Sequence, residues 1–227
     1  MAITFTTWLW GDKYNETHVL KLAAGIRRHY AQPFRFIVFS DRYLTLPAPL
    51  EALPIVNPEL IGRHCFCRLR IFDPAWQGWL RLDDCIVNLD LDLIITGDLA
   101  PLFARQDSFL ILQGVNATNP NPFNGSVMML RPGHYREVWS EFSLDAASQI
   151  KFDQFPDDQG WLWHKLPKAN GWKGGKASGI YAFQKPGWPK GNDALPIDAR
   201  IVSFIGRRKP EQYTTLPWVR KFWTEAA

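Results

Sequence analysis

From Val87 to Asp98 the chain reads Val87-Asn88-Leu89-Asp90-Leu91-Asp92-Leu93-Ile94-Ile95-Thr96-Gly97-Asp98, an apolar, strand-like run interrupted by two carboxylates. A core strand would carry valine or isoleucine at those positions. Taking unpaired carboxylates out of water costs several kcal/mol, so a cation is expected to meet them: a divalent metal, an arginine or lysine, or both. On a fully extended strand Asp90 and Asp92 share one face. A bend just after the strand would instead let one reach a metal while the other contacts ribose, or the metal through water. The plainer alternative, two solvated aspartates flanking a turn, leaves little room for Leu89, Leu91, Leu93, Ile94 and Ile95.

The residues before this run set its context. Ile3 to Trp8 is β-rich, and Val19, Leu22, Ala23 and Ile26 give a helical apolar face to His18–His29, with Asn15 or Thr17 as cap. Phe34 to Phe39 is a second strand, a short one is expected near Leu53 to Val56, Cys65 to Phe72 reads as a short helix, and Ile86 to Leu89 is a third strand. This alternation predicts an α/β fold, Rossmann-like, with a mostly parallel central sheet flanked by helices. In such sheets ligands bind beyond the carboxyl ends of the strands. Asp41 and Asp90 both fall at such ends.

The second half changes character. Strands are expected at Asp107 to Gln113, Gly125 to Leu130, Ile180 to Phe183 and Ile201 to Phe204, with a polar loop at residues 116–122. Helices are expected at His134 to Phe142 and from Asp157-Asp158-Gln159 through Lys165. A length of 227 residues predicts one domain over 1–227, whose first part, 1–98, carries the alternation of strands and helices and whose second, 99–227, does not.

Composition narrows the partners. A net charge of +4 with no block of five like charges suits a phosphorylated small molecule and disfavours nucleic acid. The cysteines Cys65, Cys67 and Cys85 show no zinc or redox spacing, which predicts reduced, mostly buried thiols. The amino terminus lacks the basic start and cleavage site of a signal peptide, and no run of eighteen apolar residues occurs, so a cytoplasmic protein without a transmembrane segment is expected.

The segment Asn88 to Leu99 resembles the DxD segment of GT-A-fold glycosyltransferases, in particular the glycogenin-like and lipopolysaccharide galactosyltransferase-like group with its bacterial relatives. Four more pieces are similar to family motifs in the same order. Arg68, in Cys67-Arg68-Leu69-Arg70-Ile71, resembles the arginine that reaches the nucleotide-sugar. Phe123-Asn124-Gly125-Ser126-Val127-Met128 resembles the asparagine-bearing strand start beside the donor sugar. Asp158-Gln159 resembles the pair near the reacting carbon. Phe204-Ile205-Gly206-Arg207-Arg208-Lys209-Pro210 resembles the closing Gly-x-x-Lys-Pro signature. Together these pieces span about residues 3 to 210.

The resemblance implies transfer of a sugar, with retention of configuration, from a nucleoside-diphosphate sugar, with UDP the expected nucleotide, to a glycan, lipid-linked or small-molecule acceptor. It implies Mn²⁺ or Mg²⁺ on Asp90 and Asp92. It places Arg68, Asp90, Gly206 and Lys209 at the nucleotide, and Asn124, Asp158 and Gln159 at the sugar and the reacting carbon; Asp41, by its place after the second strand, is expected at the base or ribose. One position departs from the pattern. The family carries a metal-binding histidine three residues before the closing glycine, and this chain has Ser203, a poorer ligand. Trp8, Trp10 and Tyr14 are expected to stack on the base or pack in the core, and Trp161, Trp163, Trp172 and Trp188 to surround the acceptor side.

Plainer roles exist for several of these residues: Asp158 in the first turn of a helix capped by Asp157, Ser203 as a strand serine, Lys209 and Arg68 as solvated charges. Two rival functions follow. One is a sugar-nucleotide or glycan-binding protein of the same fold with a weakened site. The other is a nucleotidyltransferase, for which the loop after the first strand, with Gly11 alone, is a poor phosphate loop.

Overall fold

The structure, a computed structural model, describes residues 2–82, 84–116, 120–151 and 157–224. Asp83, expected in a turn, and residues 117–119 of the polar loop lie outside the described residues. Ten strands occur among the described residues: β1 (Ile3–Leu9), β2 (Phe34–Ser40), β3 (Leu50–Pro54), β4 (Cys85–Leu89), β5 (Leu93–Ile95), β6 (Phe109–Gln113), β7 (Phe123–Leu130), β8 (Gly171–Lys173), β9 (Ile180–Ala182) and β10 (Ile201–Ser203). Seven form the central sheet, in the order β3-β2-β1-β4-β7-β6-β8. Its first four neighbours run parallel, β7 is antiparallel to β4 and β6, and β8 is parallel to β6. A smaller sheet has the order β5-β10-β9.

The central strands are apolar on both faces, and their side chains alternate between two layers. Phe5, Phe36, Val38, Val87, Leu110 and Met129 pack with Val19, Leu22, Ala23 and Ile26 of α1 (Glu16–His29). Ile37, Phe39, Ile86, Ile111 and Met128 pack on the opposite face with Leu69, Phe72, Trp76 and Trp161. The fold is therefore the expected α/β one, with helices on both faces of a mostly parallel sheet.

α1 begins at the cap Asn15, whose side chain accepts from the Thr17 backbone amide at 3.1 Å while the His18 ring closes a capping box. Its Gly25 lies against β5, where an added Cβ would stand 3.0 Å from Ile95 Cβ. A third apolar cluster, with Phe183, Trp188, Val202, Phe204 and Trp218, covers the other side of the small sheet. No helix among the described residues is long and apolar enough to cross a membrane.

The run from Val87 to Asp98 does not form one strand. β4 ends at Leu89, the chain turns through Asp90, Leu91 and Asp92, and β5 then joins the small sheet. Backbone bonds hold the turn from two sides: Asp90 N donates to Ser126 O of β7, and the Asp92 carbonyl accepts from Phe204 N just after β10, both at 3.0 Å. The bend was one of two geometries open in the sequence, and it is the one observed.

Elsewhere several boundaries differ from expectation. The strand expected near Leu53 to Val56 is β3, shifted to Leu50–Pro54. Cys65 to Phe72 is a 3₁₀ helix over Phe66–Phe72. The expected helix His134–Phe142 shrinks to one turn, Glu137–Ser140, because Gly133 and Tyr135 adopt positive φ and break its start. α2 (Pro74–Leu80) and β8 escaped notice. β8 is marked only by Gly171, where an added Cβ would meet Ile111 O at 2.3 Å, so glycine allows β8 to approach β6.

Candidate functional site

Beyond the carboxyl ends of β1 and β4 lies a cavity of about 230 Å³. Asp90, Asp92, Arg68, Asn124, Gln159 and Gly206 all line it. These six come from five separate stretches of sequence: the 3₁₀ helix, the turn after β4, the start of β7, helix Asp158–Lys165 and the loop after β10. Lys209 reaches the cavity through Asp92, and Asp158 lies behind its wall, wholly buried.

Two clusters of charge build the site. In the first, Asp92 Oδ2 accepts from Lys209 Nζ at 2.5 Å and from the Tyr14 hydroxyl at 2.8 Å. Lys209 Nζ also lies 3.3 Å from the Phe204 carbonyl. Burial, then the Asp92 carboxylate, pushes the Tyr14 phenol well above its ordinary range, so it stays protonated and donates. Lys13 also lines the cavity. Its ammonium stands 5.0 Å from the Tyr14 ring centroid, and that of Lys209 stands 5.5 Å from the same ring. Burial and the Lys209 ammonium lower the Lys13 pKa, while Asp92 and Asp90 oppose them.

In the second cluster Arg68 is a strut between two acids. Its Nε and Nη2 contact Asp158 Oδ2 at 2.8 and 2.6 Å, and its Nη1 donates to Asp90 Oδ1 at 2.5 Å. Only 5% of the Arg68 side chain is exposed. Burial pushes the Asp158 carboxyl up to about 7 against the pull of Arg68, and its Oδ1 has no hydrogen-bond partner among the described residues. Asp90 is raised too, by desolvation, with Arg68 opposing. Gly125 makes the strut possible: an added Cβ there would lie 2.6 Å from Arg68 Nη2. Residue choice at β7 and charge pairing in the cleft are thus one constraint.

The amides are anchored locally. Asn124 Oδ1 accepts from Ser126 N at 3.1 Å. Gln159 Oε1 accepts from Gly125 N at 3.0 Å, and its Nε2 donates to Asp157 Oδ2 at 2.8 Å. Asp157 caps helix Asp158–Lys165 through Gly160 N. Cys65 lines the cavity as well, but burial pushes its thiol up to about 12, which leaves it unionised and a poor nucleophile near neutrality.

Not every residue singled out in the sequence reaches the cavity. Asp41 accepts from Gly11 N at 2.8 Å and braces the loop between β1 and α1. Trp10 and Tyr14 line the cavity; Trp8 also lines it but is mostly buried, its Nε1 bonded to Asn88 Oδ1. Trp161, Trp172 and Trp188 belong to three different core clusters and do not surround a common surface. Ser203 is fully buried, and its hydroxyl bonds the Ser126 hydroxyl at 3.0 Å.

That last placement bears on a divalent ion. The two carboxylates of the turn are each already matched by a cation, Asp90 by Arg68 and Asp92 by Lys209. The position that the resemblance assigns to a third ligand is a buried serine whose hydroxyl is taken by Ser126, and no group of three or more His, Cys, Asp or Glu suited to a metal occurs among the described residues. A hard cation wants several unencumbered oxygens, so the residues present do not fit one. Lys13 and the bond from Tyr14 to Asp92 were missed in the sequence; the available signal was a cation beside an aromatic in the loop that follows the first strand.

No family model matches the chain, and no curated protein sequence matches it. Solved structures do. A galactosyltransferase, LgtC, in complex with donor and acceptor sugar analogues superposes with a TM-score of 0.64 at 15% identity, over 100% of this chain and 95% of that one. An active-site mutant of LgtC gives 0.65 at 16%, over the same shares. The glycosyltransferase GlyE of Streptococcus pneumoniae TIGR4 gives 0.61 at 14%, over 99% of this chain and 64% of that one. At these identities the likeness establishes the fold alone, the GT-A fold of LgtC.

Proposed function

We propose that the protein is a glycosyltransferase that takes a sugar from a nucleoside-diphosphate sugar, with UDP the expected nucleotide, and passes it with retention to a glycan, lipid-linked or small-molecule acceptor. In this reading the chain acts as one unit, residues 1–98 holding the nucleotide and 99–227 supplying sugar and acceptor contacts. The observation that carries it is the convergence of Asp90, Asp92, Arg68, Asn124, Gln159 and Gly206 on one cavity at the strand ends of a GT-A fold.

Glycosyl transfer breaks the bond from the anomeric carbon to the phosphate oxygen and forms one to the acceptor oxygen, which gives up its proton. Negative charge grows on the departing diphosphate while the sugar becomes cationic. Lys209 is a mobile point charge suited to that phosphate. Asp90 supplies negative charge on the sugar side, oriented by Arg68, which the buried Asp158 holds from behind. The amides of Asn124 and Gln159 suit sugar hydroxyls. Retention with the departing phosphate as proton acceptor needs no enzyme nucleophile, which suits a site whose buried acid is so tightly paired.

A second reading, a sugar-nucleotide-binding protein with weak turnover, is favoured by Ser203, a buried serine bonded to Ser126 where the resemblance implies a metal-binding histidine. The test is calorimetry with UDP-, GDP-, ADP- and CDP-sugars, followed by release of nucleoside diphosphate. We expect one nucleotide class to bind and be turned over, and Lys209→Met to weaken that binding about tenfold, or 1.4 kcal/mol. Binding without turnover in the presence of an acceptor panel favours the second reading. No binding of any donor, with or without manganese, ends both.

A further inference from the structure

Resting on the donor reading, we propose that the Lys13 and Lys209 ammonium groups carry the charge of the donor diphosphate in the place where a GT-A site would use a divalent metal, so that nucleotide binding needs no metal ion. The two lysines come from opposite ends of the chain, the loop after β1 and the loop after β10. They meet over one ring, with Lys13 Nζ 5.0 Å and Lys209 Nζ 5.5 Å from the Tyr14 centroid. Two like charges this close repel, and Asp92, which Lys209 contacts at 2.5 Å, balances one of them.

Asp90, the other acid that acts on Lys13, is engaged by Arg68, so Lys13 has no ion pair of its own among the described residues. A diphosphate bridging both would supply the missing anion. The Tyr14 ring faces both ammonium groups and adds a cation–π contact to each. Tyr14 also fixes Asp92 through its hydroxyl, so a single side chain sets the geometry of the pair. The ligand set opposes a metal on independent grounds: Asp90 is engaged by Arg68, Asp92 by Lys209, and the Ser203 hydroxyl by Ser126.

The experiment uses the full chain and the free nucleoside diphosphates UDP, GDP, ADP and CDP as probes. Calorimetry is run in EDTA and again in millimolar Mn²⁺, with the paramagnetic resonance signal of Mn²⁺ followed in parallel. The expected result is binding of one diphosphate with a Kd that changes less than about threefold between the two conditions. Protein added to Mn²⁺ and nucleotide should leave the manganese signal as the nucleotide alone leaves it. Lys13→Met, a change at an exposed side chain, should weaken binding in EDTA about tenfold and flatten its dependence on salt; Lys13→Arg should restore most of it. Binding seen only with Mn²⁺, or a Lys13→Met protein that binds as wild type does in EDTA, overturns the two-lysine inference and leaves the donor reading standing. Absence of binding to every diphosphate and every donor sugar overturns both.

Discussion

Asp158 is wholly buried, and burial holds its carboxyl near 7 even with Arg68 in contact. In the unfolded chain an aspartate titrates near 3.9. Between about pH 4 and pH 7 the native protein therefore keeps a proton that the unfolded chain has released. The contribution of this residue is fully present below about pH 4, falls as pH rises through that window and is level above it. Urea denaturation at pH 5 and pH 8 should show wild type losing on the order of 2 kcal/mol more than Asp158→Asn over that interval. Equal losses in the two proteins would sink the assignment. The residue was legible in the sequence as half of an Asp-Gln pair, but its environment was not. A helix first turn and a buried acid look alike until Arg68, ninety residues earlier, is seen against it.

At the scale of elements, α1 couples stability to the site. Lys13 and Tyr14 immediately precede the cap Asn15, so the first turn of the helix and the cation pair share a few residues of backbone. Asn15→Ala should cost about 1 kcal/mol in thermal or urea unfolding. It should also weaken nucleoside-diphosphate binding, since a frayed first turn releases Tyr14 from Asp92. Loss of stability with unchanged binding would separate the two roles. The helix was legible because fourteen residues carry a sustained apolar stripe. The single turn at Glu137–Ser140 was not, because positive φ at Gly133 and Tyr135 overrides a pattern too short to resist it. The end of β4 at Leu89 was legible, but the separate strand β5 was not, since Leu91, Leu93, Ile94 and Ile95 stay apolar after the chain has left the central sheet for the small one.

For the whole molecule, the cavity lies where two sheets meet. Asp90 is held by β7 of the central sheet, and Asp92 by the backbone after β10 of the small sheet. A ligand seated there should slow hydrogen exchange in both β4 and β10. Protection confined to β4 would place the ligand away from the Asp92 and Lys209 pair. The order of motifs along the chain, the alternation of strands and helices and the acidic pair in an apolar run were all present in the sequence, because burial and periodicity are local properties. Which cation meets which carboxylate was decided only by tertiary packing. Lys209 lies 117 residues from Asp92, and Arg68 lies 90 residues from Asp158. Charge attraction has no sequence period, so only the sheet that brings these segments within 3 Å could choose the partners, and with that choice fill the places a metal ion would need.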